Sequence, residues 1–358
     1  MTERAESALQ FRGEQKVNAS PAAILPLMMG IPDDRMVSVF ARGDGGLGYN
    51  FLGNSRLATL LAPRFKQRLL RVFFGPDIPL FVPPGLRGAP AVNAIADPDL
   101  SAIALRMLEE HVGANRLACF NHPEAVLGTT RDGVAGKLAG IEGVLMPRTI
   151  RLRMEEPADI AHAAEQHDLH WPLIVRVAGT HRGSATVRLD NASRAGPALR
   201  DLPWGGRDLY LTEYVEYRDA DERYRKLRIV VVGGEIFLRH LIIADGWLVH
   251  VHDRRVAVAE EEVAALANFE TELLPRVRAR VHAIADALAM DYFGIDCNLR
   301  PDGSLLIFEA NAMMDVLNNT SPSPNCWDAP IARIHDALAA LLFDPARWRH
   351  PARRPVPA

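Results

Sequence analysis

The sequence predicts a mixed protein built as an open α/β N-terminal domain joined to a larger α+β unit. Three observations carry that expectation. A strand–helix–strand run occupies residues 71–120, the order of an open sheet with covering helices. A meander follows, with the turn pairs Gly233-Gly234 and Asp245-Gly246, both strong two-residue hairpin signals. A last hairpin over 293–311 turns at Pro301, Asp302 and Gly303.

Taken in order, residues 1–70 give little beyond an apolar stretch, Pro21 to Ile31, and a glycine-rich run from Ala41 to Gly53 that reads as a flexible loop. Arg71–Phe74 and Leu80–Val82 read as short strands, each stopped by Pro or Gly. From Asp99 to Val112 the apolar residues Ile103, Leu105, Met107, Leu108 and Val112, with Ser101 as N-cap, predict a helix. Leu117–Phe120 follows as a buried strand, then a helical stretch from Val126 to Leu145 that exits at Pro147. Asp159–His167 reads as a helix, and Pro172–Val177 and Asp208–Val215 as strands. The meander strands are Arg225–Val232, Glu235–Ile243 and Trp247–His252. Val277, Val281, Ile284 and Leu288 mark one face of a helix beginning near Pro275. The last hairpin pairs Phe293–Arg300 with Ser304–Asn311, and Ile331, Ile334, Leu338 and Leu341 mark a closing helix. The Pro/Arg-rich tail, 346–358, is expected to be disordered.

Composition excludes several classes. The 358 residues are 48% hydrophobic and 24% charged, ordinary for a soluble globular chain. Net charge is 41 − 44 = −3, which leaves no basic field for nucleic acid. Cys119, Cys297 and Cys326 are far apart, without a CxxC pair, which argues against a disulfide scaffold and suits a reducing compartment. No apolar run approaches the ~20 residues of a membrane helix, and the polar N-terminus is unlike a secretory signal. The expectation is a cytoplasmic protein with neither a nucleic-acid nor a membrane partner.

The last hairpin is the most informative stretch. Alternation puts Asp296, Asn298 and Arg300 on one side of their strand, and Glu309 and Asn311 on one side of the returning strand. Two acids and an amide on adjacent strands suit a hard cation such as Mg²⁺; the alternative is a half-exposed hairpin with ordinary surface polar residues. In the meander, two-residue turns would place Arg228 opposite Arg239, and Arg239 opposite His252, with Lys226, Leu241 and His250 in the next row. Opposed arginines are unfavourable unless an anion lies between them. The alternative is a bulge that shifts the register.

Four further signatures fall in a fixed order. They are NHPEAV at 121–126 followed by Arg131 and Asp132; the strand Leu173–Val177 with Arg176, followed by GTHRGSA at 179–185; Glu213-Tyr214-Val215; and Arg228 ahead of Ile229–Val232. With Asp296, Glu309 and Asn311 they resemble the ATP-grasp superfamily, in the branch of glutathione synthase and the ribosomal-protein glutamate ligases. The resemblance spans about Asn121 to Asn311. It implies an ATP-grasp fold, with 1–70 as an extension of unclear structure and 71–120 as the N-terminal α/β domain. Residues 121–205 would form the small subdomain with its glycine-rich flap, and 206–345 the large subdomain with the metal site.

The resemblance also implies roles. Asp296, Glu309 and Asn311 would hold Mg²⁺, with Mn²⁺ as an alternative ion. Arg131, Lys137, Arg176, Gly183, Ser184, Glu213, Tyr214 and Val215 would bind ATP, and Arg228, Lys226 and Arg239 would act on the reacting groups. Trp247, His250 and His252 are candidates for the substrate pocket. Gly133 stands where the family carries a lysine, Arg176 replaces a second lysine, and the stretch from Ala312 to Val316 departs from the family's usual turn. The implied activity is an ADP-forming carboxylate–amine or carboxylate–thiol ligase working through an acyl phosphate on a small molecule or peptide, compatible with a homo-oligomer. A nucleotide-binding module without ligase chemistry and a small-molecule kinase are the other readings.

Overall fold

A computed structural model describes residues 25–57, 69–181, 183, 185–250, 259–319 and 321–350. The first sheet is parallel and begins well before residue 71. Its members are β1 (Leu25–Gly30), then, after the hairpin of β2 (Ser38–Ala41) and β3 (Leu47–Asn50), β4 (Leu69–Phe74), β5 (Ala91–Asn93) and, beyond helix α1 (Ala102–Asn115), β6 (Cys119–Phe120). The strand order is β4-β1-β5-β6. All six residues of β1 are buried, so its run carries no alternation to betray it. Leu80–Val82, expected as a strand, is not one: Pro79, Pro83 and Pro84 deprive that stretch of ladder donors, and Phe81 is 75% exposed.

The stretch expected as one helix over 126–145 divides in two. Helix α2 (Pro123–Leu127) stops at Gly128, and α3 (Arg131–Leu138) starts afresh under Thr130, whose hydroxyl accepts the Gly133 N–H. Strand β7 (Val144–Leu145) then leaves to join the edge of the third sheet.

The second sheet is antiparallel and is assembled from β8 (Thr149–Arg153), β9 (Leu173–Val177), β10 (Thr186–Leu189) and β11 (Asp208–Glu213), in the order β10-β9-β11-β8. Helix α4 (Asp159–Gln166) covers it through Ile160, Ala163 and Ala164, and the resulting core contains only residues of this lobe. The placement of β11 carries this lobe past residue 205.

The third sheet runs β13-β12-β14-β15-β7, with β12 (Tyr224–Val232), β13 (Glu235–Ala244), β14 (Tyr292–Leu299) and β15 (Leu305–Asn311). Helix α5 (Ala195–Leu199) belongs to the preceding lobe; α6 (Ala259–Ala267) and α7 (Leu274–Leu288) accompany this one, and α7 turns Val277, Val281, Ile284 and Leu288 into the core. Helix α8 (Asp328–Leu342) closes the chain. The third meander strand does not form over 247–250. Tyr217 donates its hydroxyl to the Trp247 carbonyl, and the Trp247 ring packs edge-on to Tyr214, which turns the chain out of the ladder. Residues 251 and 252 lie outside the described set.

The first and third sheets meet at a buried polar joint. Asn121, at φ +50°, donates to the Tyr292 carbonyl at 2.8 Å and accepts the N–H groups of Asp291 and Tyr292, both at 2.9 Å. Asp291 returns the contact, accepting Asn121 N–H and Arg349 N–H, each at 2.6 Å. Part of the tail expected to be disordered is therefore docked. Trp348 is 2% exposed, donates to the Leu341 carbonyl at 2.8 Å and meets Phe120 edge-on, while the Cys119 N–H reaches the His350 carbonyl. An indole seals what a Pro/Arg-rich composition suggested would fray; 351–358 lie outside the described residues. Among the described residues no helix is long and apolar enough to cross a membrane.

Candidate active site

A cleft of about 500 Å³ opens where the second and third sheets face the turn at residues 97–99. Arg131, Arg176, Glu309 and Asn311 line it, together with Asp97 and His181.

The β14–β15 pair brings the acids together as the alternation predicts: Asp296 and Glu309 are direct cross-strand partners. Each is met by cations. Arg228 holds Asp296 with a two-bonded fork, Nε to Oδ1 at 2.7 Å and Nη2 to Oδ2 at 2.8 Å, and Lys226 Nζ lies 3.2 Å away. Glu309 takes Arg131 Nη2 at 2.9 Å and the Asn311 amide at 2.8 Å. Burial alone would raise both carboxyls. Arg228 and Lys226 outweigh it at Asp296, and Arg131 and Arg176 at Glu309, so both sit below the usual carboxylate range.

Arg176 projects from the middle of β9 and is held by burial and by the Arg131 charge at a pKa pushed down to about 9. Its presence beside Arg131 concentrates positive charge on one wall of the cleft. Gly133 explains why no lysine stands at that position: a Cβ there would fall 2.8 Å from both the Gly128 carbonyl oxygen and Thr130 Oγ1. Arg131, two residues earlier, reaches the cleft instead. Lys137 does not line it; its ammonium packs over Gly128 near Glu124.

The meander register is shifted by a bulge between Arg228 and Ile229, so Arg228 faces His240 and not Arg239. The expected pair of opposed arginines does not exist. Arg239 is buried and donates to the carbonyls of Val316 at 3.1 Å and Asn318 at 2.8 Å, tethering the segment that follows Asn311.

Glu213 ends β11, and Tyr214 and Val215 follow it. Glu213 accepts the His170 N–H at 2.9 Å and is 2.9 Å from its Nδ1, and the Tyr214 N–H goes to the Pro172 carbonyl at 2.9 Å. Arg188 lies 4.2 Å over the Tyr214 ring, and Val215 and Trp247 pack in the adjoining apolar cluster with Phe308. Gly183, at φ +67°, brings the flap against the His250 ring so closely that a Cβ would strike it. Ser184 and His252 lie outside the described residues.

The donor set suits Mg²⁺ in chemistry. Asp296, Glu309 and Asn311 offer hard oxygens on two paired strands, with four cations nearby to balance a polyanion carried with the ion. Among the described residues no group of three or more His, Cys, Asp or Glu side chains forms a metal cage of its own. Two carboxylates and an amide would leave positions on such an ion for water and phosphate oxygens.

Solved structures align with nearly the whole chain. D-alanyl-alanine synthetase A from Vibrio cholerae O1 biovar eltor str. N16961 gives a TM-score of 0.52 at 10% identity, covering 90% of this chain and 98% of that one. VanG D-Ala:D-Ser ligase from Enterococcus faecalis gives 0.50 at 10% identity, covering 89% and 99%. The chain has the ATP-grasp fold. A RimK domain protein ATP-grasp from Sphaerobacter thermophilus DSM 20745 also aligns, at a TM-score of 0.47 and 13% identity over 89% of this chain and 98% of that one. No family model and no curated protein sequence matches. In ATP-grasp terms, the cleft lies between the two β-rich lobes. Its N-terminal wall, Asp97, Asp99 and the flap residue His181, went unassigned in the sequence because residues 84 positions apart share no local signal.

Proposed function

We propose that the chain is an ATP-dependent, ADP-forming ligase that activates a carboxylate as its acyl phosphate and passes the acyl group to an amine. The observation that carries this reading is the grouping of hard oxygens with cations in one partly dry site: Arg131, Arg176, Lys226 and Arg228 surround the cross-strand pair Asp296 and Glu309. Such a grouping suits a phosphate polyanion carried with a hard cation.

Asp296, Glu309 and Asn311 would hold Mg²⁺, which when bound neutralises phosphate oxygens and orients them. Arg131 and Arg176 bind phosphate from one wall. Arg228 and Lys226, held beside Asp296, would stabilise charge at the transferred group. Glu213, fixed by His170, offers oxygens to ribose hydroxyls, while Tyr214 and Val215 border the base. The flap over Gly183 excludes water that would hydrolyse an acyl phosphate. Solved ligases of the same fold, whose names specify D-alanine and D-serine, support a small-molecule acid or amine substrate without identifying it. The motif order favours the glutathione synthase branch, and the cysteine usage a cytoplasmic setting.

Isothermal calorimetry should detect Mg²⁺-dependent ADP binding. Coupled assays should show ADP and phosphate released together when acid and amine are both supplied. A stable phosphorylated product would indicate a kinase, and binding without turnover a nucleotide-binding module.

A further inference from the structure

The hairpin of β2 and β3 contributes to neither the cleft nor any of the hydrophobic cores. Its register opposes Val39 to Tyr49 and Ala41 to Leu47, so these four side chains share one face. Ser38, Phe40, Gly48 and Asn50 share the other. The two faces are used differently. On the second, the Phe40 ring lies over Gly48, the one buried residue of the two strands. The first has no such cover: Val39 is 56% exposed, Leu47 59% and Tyr49 59%. Among the described residues this sheet has two strands and no third.

A two-stranded hairpin is marginal in water by itself, and a bare apolar face on one marks a place where something else packs. Neither strand carries the Lys, Pro or bulge that commonly blunts an edge. The hairpin is also held from its base. The rings of Phe51 and Phe73 lie 4.9 Å apart, and the Gly53 carbonyl accepts the N–H groups of Ala96 and Asp97 at 2.8 and 3.0 Å. Docking on an element fixed in this way costs little ordering entropy.

Charge and area select the occupant. From Met36 to Leu52 the only charged residues are Arg42 and Asp44, and they satisfy each other, Arg42 Nε donating to Asp44 Oδ1 at 3.1 Å. Such a surface offers no field to a nucleic acid, an anionic membrane or a charged peptide, and it does not repel its own copy. Met36 and Leu52, which flank the strands, are exposed as well. The apolar area is then on the order of several hundred Å², large for a monomer. A second copy doubles it, towards the ~1,200 Å² total of the smallest stable interfaces. A twofold axis needs only one patch, since the same surface serves both sides.

We propose that this face is a homodimer contact, in which the hairpins of two copies stack Val39, Leu47 and Tyr49 against one another about a twofold axis. The contact is independent of the ligase reading.

Sedimentation velocity of the full chain from about 1 to 100 μM should find a dimer. Val39→Lys combined with Leu47→Lys should give a folded monomer throughout that range, with wild-type near-ultraviolet circular dichroism. Mixing it with the chain carrying Val39→Glu and Leu47→Glu should restore a dimer containing one copy of each. Should the paired substitutions unfold the chain, Tyr49→Ser alone should raise the dimer dissociation constant about tenfold or more. A dimer that survives both lysines, an unchanged dissociation constant in Tyr49→Ser, or variants that stay monomeric when mixed overturns the proposal. So does a wild-type monomer at about 100 μM. In that monomer, hydrogen exchange would assign the face to the chain's own residues if the hairpin is protected, and to a different protein if it is open.

Discussion

Arg228 and Asp296 face each other across β12 and β14 and share two charge-assisted hydrogen bonds, at 2.7 and 2.8 Å. Asp296 is buried and Arg228 partly so, and the two members depend on one another for stability. Asp296→Asn leaves Arg228 and Lys226 without their counter-charge and should cost about 3–5 kcal/mol in urea unfolding. It should also abolish Mg²⁺-dependent ADP release. Glu309→Gln should abolish release with a smaller loss of stability, because Glu309 is met from the cleft side, where solvent enters. Wild-type turnover in either variant would discard the metal assignment.

Arg228→Ala should lower kcat by about 10²–10³ while the ADP dissociation constant moves far less, since its charge matters most as the phosphoryl group transfers. A pure affinity loss in calorimetry would place Arg228 in ground-state binding instead.

Trp348→Ala should cost about 3–5 kcal/mol in thermal or urea unfolding, by emptying the space beside Phe120 and removing the indole's hydrogen bond to the Leu341 carbonyl. Unchanged stability would mean that the docked tail carries no structural weight.

Gly183→Ala places a methyl group where the His250 ring lies, on a backbone at φ +67°. Coupling should fall relative to ATP hydrolysis, read as the ratio of amide formed to ADP released.

His122 stacks on His350 at 4.5 Å between ring centroids, and burial first, then the His350 charge, hold it below its ordinary 6.5. The unfolded chain therefore binds more protons at His122 than the folded chain does. Its contribution to stability is complete above 6.5 and is lost as pH falls below that value. His122→Asn should flatten the acid side of the stability profile measured by urea unfolding.

Legibility followed the range of the interaction. Asp296 and Glu309 were readable because one tight turn sets their register, and α7 because its apolar stripe is local. The β12–β13 bulge was not, since one extra residue displaces Arg239 without changing composition. Strand β1 was hidden by burial on both faces, and the tail by a single tryptophan whose partners, Phe120 and Leu341, come from elsewhere in the chain. The His181–Asp97 pair needs the finished fold to exist at all.

The Asn121–Asp291 joint has a mechanical consequence. Buried hydrogen bonds weld the parallel sheet to β14, while the lobe of β8 to β11 keeps a private core and touches the parallel sheet's 97–99 turn through ionic and hydroxyl groups that water can replace. The joint predicts that a displacement between lobes falls on the lobe of β8 to β11, with Asp296 and Glu309 kept in register with the parallel sheet, and hydrogen exchange should find β14 better protected than β9.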